Sequence, residues 1–346
     1  MPASKISLPD ATPPGTARMS DVAREAGVSL VTVSRAINTP DKLAPDTLAA
    51  VRASIERLGY LPNLMAGSLA SNRSRIVAAI VPTISNLVFS ETLEALAQTL
   101  ADGGYQLLLG QSAYRHNDEA ALVDTFLGRR VDGLVLTGIA QSSALRLKLR
   151  RAGVPVVQTW DWPAAGGEAP VDMLVGFSNV DAGRAAAAHL FARGYRSLAF
   201  IGAEEERSRL RLAGFPPEAP AHGPGQGPAA PIRPPVQIDD AGPRLAQLLA
   251  RRPGITAVFC NNDLLAAGLL FECQQRGWAV PGRIAVMGFG DMPIARAATP
   301  RLSTVRIRRA EMGERAGQML LTRLAGEDPG ARLVDIGFEV VARSST

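Results

Sequence analysis

Four side chains near the start of the chain are of the types that read base edges. Leu30 and Val31 offer methyl groups suited to thymine, Arg35 offers a fork suited to guanine, and Ser34 offers a hydroxyl. Their spacing decides where they point. Val33, Ala36 and Ile37 fall at helical intervals and pack inward, which leaves those four on the outer face of a short helix. The elements that hold this helix are legible on either side of it. Val22, Ala23 and Ala26 give a preceding helix one apolar face, with Ser20 as its expected N-cap. Gly27 lets the chain leave that helix through the left-handed region, Val28 plugs the turn, and Ser29 caps the second helix. A third amphipathic helix runs from Pro45 to Gly59, with Leu48, Val51, Ile55 and Leu58 on one face. Two helices joined by a tight turn, the second presented outward, suit a DNA major groove.

Catalytic chemistry is harder to find. His116, His189 and His222 are scattered, with no Ser/His/Asp or His/Glu spacing around them. No Gly-rich phosphate loop is present, and Cys260 and Cys273 belong to no metal-ligand spacing. Nothing here points to a cofactor or an enzyme. Charge discriminates only mildly: residues 1–76 hold nine Lys/Arg against six Asp/Glu, about +3 of the total +5. Phosphate neutralisation therefore rests on a few placed groups rather than on a polybasic tract.

With 346 residues the chain is long enough for a small head and a two-lobed body. Residues 1–17 are broken by Pro2, Pro9, Pro13 and Pro14 and charged at Lys5 and Asp10. They read as a disordered arm rather than an export signal, so a cytoplasmic protein is expected. From Arg75 onward short apolar strands alternate with helices. Strands are expected at 76–81, 106–109, 133–136 and 154–157, with helices at 89–102, 119–128 and 144–151 between them. The pattern restarts after Phe177 with helices at 180–193, 243–251 and 263–276 and strands at 198–201, 257–259 and 284–287. Such alternation implies two doubly wound parallel sheets, with a ligand crevice at the carboxyl ends of their strands. At those ends Ser85 to Phe89 opens a helix, Trp160 and Asp161 follow the fourth strand, and Asn262 can bind a polyol while Asp263 caps a helix.

The set Asp21-Val22-Ala23, Ala26-Gly27-Val28-Ser29, Thr32-Val33-Ser34-Arg35, Gly59-Tyr60-Leu61-Pro62-Asn63 and Ser68-Leu69-Ala70 resembles the lactose/galactose repressor family of bacterial transcription factors. The resemblance implies a helix-turn-helix head over 18–63, a hinge helix over 64–76 and a periplasmic-binding-protein-like body over 77–346. Lobe 1 would be about 77–176 plus 304–334, and lobe 2 about 177–303 plus 335–346. It extends the DNA-contacting set to Ser20, Ser29, Thr32, Asn38, Tyr60, Asn63, Ser68, Ala70 and Asn72, with Leu69 wedging into the minor groove at the operator centre. It places an effector between the lobes. Arg209, in Ser208-Arg209-Leu210-Arg211-Leu212-Ala213-Gly214, is the expected effector arginine, joined by Asn262, by Asp291 in Gly288-Phe289-Gly290-Asp291, and by Ser85, Phe89, Trp160 and Asp161 from the first lobe. Sugar-binding relatives often carry an aspartate where this chain has Gly290. Val175–Asn179, Val258–Asp263 and Phe271–Gln274 resemble the gluconate-utilisation repressors of the family, and Arg209 would suit a sugar acid's carboxylate.

The implied protein is a homodimeric repressor of carbohydrate or sugar-acid utilisation genes that binds a pseudo-palindromic operator. The chain reaches Thr346 without a terminal leucine heptad, which favours a dimer over a tetramer. One stretch departs from the family: 216–235 is too rich in proline and glycine for a helix and reads as a surface loop. The rival reading, a solute-binding protein of a sugar transporter, shares the body fold but would need an export signal and no helix-turn-helix. A doubly wound enzyme would need a catalytic constellation.

Overall fold

The structure is a computed structural model that describes residues 17–61, 73–85, 87–164, 166–215, 229–234 and 236–346. The chain divides into two compact units, residues 1–74 and 75–346. The expected DNA contacts at Asn63, Ser68, Leu69, Ala70 and Asn72 lie outside the described residues, as do 1–16 of the arm and 216–228 of the proline-glycine stretch.

Among its described residues the head has three α-helices, α1 (Met19–Glu25), α2 (Leu30–Asn38) and α3 (Pro45–Leu58). Val22, Ala23, Val33, Ala36 and Val51 close one small core, against which Val28, Ile37, Leu48, Ile55 and Leu58 pack. Gly27 takes φ +65° at the turn. The first helix begins two residues earlier than expected. Arg18 holds the N-cap position and its backbone N–H donates to Asp21 at 2.9 Å, so Ser20 sits inside the first turn rather than capping it.

The body contains two six-stranded sheets. The first has strand order β11-β5-β4-β3-β1-β2, from β1 (Ile76–Val81), β2 (Gln106–Gln111), β3 (Gly133–Thr137), β4 (Val156–Thr159), β5 (Met173–Gly176) and β11 (Leu333–Asp335). The second has order β12-β10-β9-β8-β6-β7, from β6 (Leu198–Ala203), β7 (Ala229–Ile232), β8 (Ala257–Cys260), β9 (Ala285–Gly290), β10 (Ser303–Arg306) and β12 (Glu339–Val341). All pairs are parallel except β10 with β12. Lobe 1 carries helices α4 (Ser90–Asp102), α5 (His116–Gly128), α6 (Ser143–Ala152) and α12 (Arg309–Leu324). Lobe 2 carries α7 (Asn179–Ala192), α8 (Glu206–Gly214), α9 (Ala241–Arg251), α10 (Asp263–Gln275) and α11 (Pro293–Ala297).

Three expectations need correction. Ser303–Arg306 pairs with both β9 and β12, so the whole strand belongs to lobe 2 and the second crossing lies after Arg306, not at Ser303–Thr304. The body begins by Arg75, whose backbone N–H donates to Asp132 at 2.8 Å, two residues ahead of 77. Part of the expected loop is a strand: Ala229–Ile232 pairs with β6 along the sheet edge, where Pro231 is tolerated.

Each lobe has an apolar cluster of its own under its outer helices. A larger cluster runs from Val77 and Leu96 in lobe 1 through Phe177 to Phe259 and Phe289 in lobe 2. Its middle is an aromatic ladder. Phe89 meets Trp160 edge-on with centroids 5.1 Å apart, Trp160 meets Phe177 at 6.2 Å, and Phe177 meets Phe289 at 6.0 Å. Such pairs add about 0.5–1.5 kcal/mol each beyond area burial. The ladder forms the floor between the lobes.

Candidate functional site

Two sites emerge, one in each unit. In the head, Ser29 Oγ accepts the Thr32 N–H at 3.1 Å and lies 2.9 Å from Thr32 Oγ1, which fixes the start of α2. Leu30 and Val31 follow with about half their surface exposed (51% and 59%), which is unusual for aliphatic side chains and available to base methyls. Arg35 is exposed and Ser34 half-buried on the same helix. Asn38 Nδ2 donates to the Ser34 carbonyl at 3.0 Å and closes the helix end. Arg57 pairs with Glu25 at 2.7 Å and ties α3 to α1. Tyr60 is placed differently from its expected DNA-facing role: it is buried in the head core.

In the body, a small polar cavity lies over the aromatic ladder, lined by Val88, Phe89, Tyr114 and Trp160 from lobe 1 and by Glu205, Arg207, Arg211, Asn261, Asn262 and Phe289 from lobe 2. The two arginines stand one helical turn apart on α8 and share its buried face. Backbone contact sets that face. A Cβ on Gly214 would fall 1.8 Å from the Val180 carbonyl oxygen, and one on Gly183 2.0 Å from that of Arg211, so α7 and α8 touch without side chains between them. Arg211 is held on every side. Its Nε donates to Asn179 Oδ1 at 2.9 Å, its Nη1 to the Asn261 carbonyl and Oδ1 at 3.0 and 2.5 Å, and its guanidinium lies 3.7 Å over the Phe289 ring. Complete burial pulls its pKa down to about 10, with the Glu205 charge opposing the shift, so it remains a cation at neutral pH.

Arg207 is also buried. It pairs with Glu205 at 3.1 Å and lies 5.8 Å over the Phe89 ring at the other end of the ladder. Glu205 is the N-cap of α8, accepting the Ser208 and Arg207 backbone N–H groups at 2.8 and 3.2 Å. Beneath the cavity Asp161 is buried and accepts from the Trp162 N–H at 2.9 Å and from Asn179 Nδ2 at 3.3 Å. Burial raises its pKa, against those hydrogen bonds and the Arg207 charge. Asn179 thus links the lobes, donating also to the Trp160 carbonyl at 3.0 Å while it accepts from Arg211. An outer recess adjoins the cavity through Tyr114 and Asn262 and is lined by Thr83, Ser85, Gln237 and Leu264.

Of the expected effector residues, Phe89, Trp160 and Asn262 line the cavity and Ser85 lines the recess. Asn262 also caps α10, accepting the Leu265 N–H at 2.8 Å. Arg209 is elsewhere: it points into solvent, 69% exposed, and pairs with Glu206 at 2.6 Å. Two residues along a helix is a turn of about 200°, so Arg209 faces away from the side that carries Arg207 and Arg211. Asp291 is also absent from the lining. Its carboxylate is clamped by Arg306 at 2.7 Å and Arg343 at 2.6 Å. Burial alone would raise its pKa, but those two guanidinium groups hold it below the usual range. At Gly290, with φ +120°, a Cβ would face Val88 at 3.4 Å, so it is position 290 and not 291 that looks toward the cavity wall. Sequence reasoning passed over Glu205, Arg207, Arg211, Asn261, Tyr114 and Asn179. The i, i+4 arginine pair flanking Arg209 was the available signal.

Among the described residues no group of three His, Cys, Asp or Glu side chains could hold a metal ion, and no helix is long and apolar enough to cross a membrane.

Comparison with known proteins places these sites in context. The profile of the lacI family of bacterial regulatory proteins matches residues 18–63, and that of the periplasmic binding protein-like domain matches 187–346. The HTH-type transcriptional regulator GntR of Pseudomonas aeruginosa is 40% identical over 96% of this chain and 96% of its own. The crystal structure of the transcription regulator GntR from Chromobacterium violaceum, 37% identical, covers 78% of this chain and 98% of that one with a TM-score of 0.72. A LacI-family regulator from Silicibacter pomeroyi, 31% identical, covers 95% of this chain and 99% of that one with a TM-score of 0.86.

Proposed function

Since this chain belongs to the lacI family of bacterial regulatory proteins, we propose that it is a dimeric cytoplasmic repressor whose effector is a hydroxylated carboxylic acid of the gluconate type, bound between the lobes. The pair Arg207 and Arg211 carries this reading. Among the cavity's lining residues the two buried guanidinium groups meet one carboxylate, Glu205, which is already committed to the helix cap, while Asp161 lies beneath the cavity and is engaged by the Trp162 N–H and Asn179. A ligand carboxylate adds an acceptor on the open side of the pair, and guanidinium is the side chain best matched to it. Asn261, Asn262 and Tyr114 supply amide and hydroxyl groups for a polyol chain, and the Phe89 and Trp160 rings supply apolar walls. Nothing among the lining residues forms a nucleophile–base pair.

The effector changes the angle between the lobes, and through the segment that joins body to head it changes operator affinity. Calorimetric titration with gluconate and with glucose, each followed by operator binding in the presence of the ligand, tests the reading. Gluconate is expected to bind at least tenfold more tightly than glucose and to alter operator affinity. Equal binding of acid and neutral sugar would overturn the sugar-acid assignment. Removal of residues 1–74 is expected to abolish operator binding and leave gluconate binding intact.

A further inference from the structure

The opposite end of lobe 1 carries a second polar hollow. The loops of the inter-lobe site follow the carboxyl ends of β1, β3 and β4; this hollow lies where β4 and β5 begin, lined by Pro155, Val156, Val171 and Asp172. It is open to solvent on one side. Arg150 from the last turn of α6 and Arg323 from the last turn of α12 line it, and Arg332 reaches its carboxylate from outside.

Charge in this hollow is unbalanced. Asp172 is the acid among its lining residues, and Oδ2 is used by the Val156 N–H at 3.3 Å. Arg323 and Arg332 stand 3.9 and 3.7 Å from Oδ1, too far for hydrogen bonds, so their N–H groups are not spent on it. Arg323 Nε is buried and has no hydrogen-bond partner. A buried donor without an acceptor is costly, and native proteins rarely leave one. Arg150 forms no ion pair among the described residues and is exposed at the rim. The negative carbonyl ends of α6 and α12 favour cations there. That accounts for basic residues in two last turns, but not for their convergence on one hollow with a donor unmet.

We propose that this hollow is an anion site for a phosphate group, held in the forks of Arg150, Arg323 and Arg332. Guanidinium presents paired donors matched to phosphate oxygens, and three such groups against one carboxylate leave an excess of two positive charges for a dianion. The group can be a soluble phosphate ester or a backbone phosphate of DNA.

The test uses the full-length protein and inorganic phosphate, compared with chloride at matched ionic strength. The variants are Arg150→Gln/Arg332→Gln, both on the surface, and Arg211→Gln in the inter-lobe site. Phosphate at tenfold its half-saturating concentration is expected to raise the melting temperature by about 3 °C in wild type and in Arg211→Gln, but not in the double variant. Operator binding across a salt series then separates the sources. If the double variant lowers the slope of log K against log salt by about one to two, the group is a DNA phosphate. If the slope is unchanged while the phosphate response is lost, the group is a soluble ester. The proposal is overturned if phosphate acts no differently from chloride, or if its effect disappears in Arg211→Gln and persists in the double variant.

Discussion

The two lobes contribute unlike halves to the site between them. Every charged side chain lining the inner cavity comes from lobe 2, which supplies Glu205, Arg207 and Arg211 together with the amides of Asn261 and Asn262. Lobe 1 supplies Val88, Phe89, Trp160 and the Tyr114 ring. Lobe 2 is also the better prepared half. Arg211 is fixed by Asn179, Asn261 and Phe289, so little conformational entropy remains to be lost when it meets an anion. The difference teaches that recognition and closure are separate duties. On the proposed reading lobe 2 sets which charge is accepted, and lobe 1 excludes water and so strengthens the electrostatics beneath it.

The comparison breaks most visibly at Trp160. This side chain is 2% exposed and stands between Phe89 and Phe177. Trp160→Ala should cost about 3–5 kcal/mol of stability, measured by denaturant unfolding. A loss under 1 kcal/mol would mean that lobe 1 does not depend on the ladder. Arg211→Ala should lower affinity for the acid by about 30-fold to several thousand-fold, equivalent to about 2–5 kcal/mol, by calorimetry. Operator binding without effector should survive it.

A third test concerns lobe 2 alone. Asp263 is fully buried, accepting from Thr304 Oγ1 and from the Met292 N–H, each at 2.6 Å, and burial pushes its pKa up to about 6. The folded protein therefore holds this proton more tightly than the unfolded chain, where a carboxyl titrates near 4. The contribution is fully present below about pH 4 and is lost as pH rises to about 6, some 3 kcal/mol in all. Asp263→Asn can keep both contacts and should remove this component. The stability difference between variant and wild type should then grow in the variant's favour from pH 4 to pH 7, and a pH-independent difference would refute the assignment. The smallest effect belongs to Arg209→Ala. Its exposed pair with Glu206 is worth less than about 0.5 kcal/mol, and effector affinity should be unchanged within error.

How much could be read beforehand varied with the kind of question. Helix α4 was expected at 89–102 and lies at Ser90–Asp102, because its apolar spacing and its boundaries are both local. The inner strands β1 to β4, β6, β8 and β9 were legible for the same reason, whereas β5, β7, β10, β11 and β12, which lack a long apolar run of their own, were not separated from their loops. Arg209 and Asp291 were misplaced because orientation is not local. Which of Arg207, Arg209 and Arg211 turns inward depends on where α8 touches α7, and that contact is made at Gly183, far away in sequence. Asp291 lies beside the right turn but is captured by Arg343, an ion pair spanning 52 residues that no motif announces. The arginines that do line the cavity could have been singled out only by asking which members of the run share a helical face.

The lobes are joined by three separate strands of chain, after Gly176, after Arg306 and between Asp335 and Glu339. A body hung from one strap can swing and twist in many ways, whereas three straps side by side leave it close to a single degree of freedom. Whatever small molecule enters the crevice, the rest of the protein can learn of it only as one angle. Such a device reports a yes or a no well and the identity of its ligand poorly, so on the proposed reading discrimination among chemical relatives is completed at the arginines before the hinge ever turns.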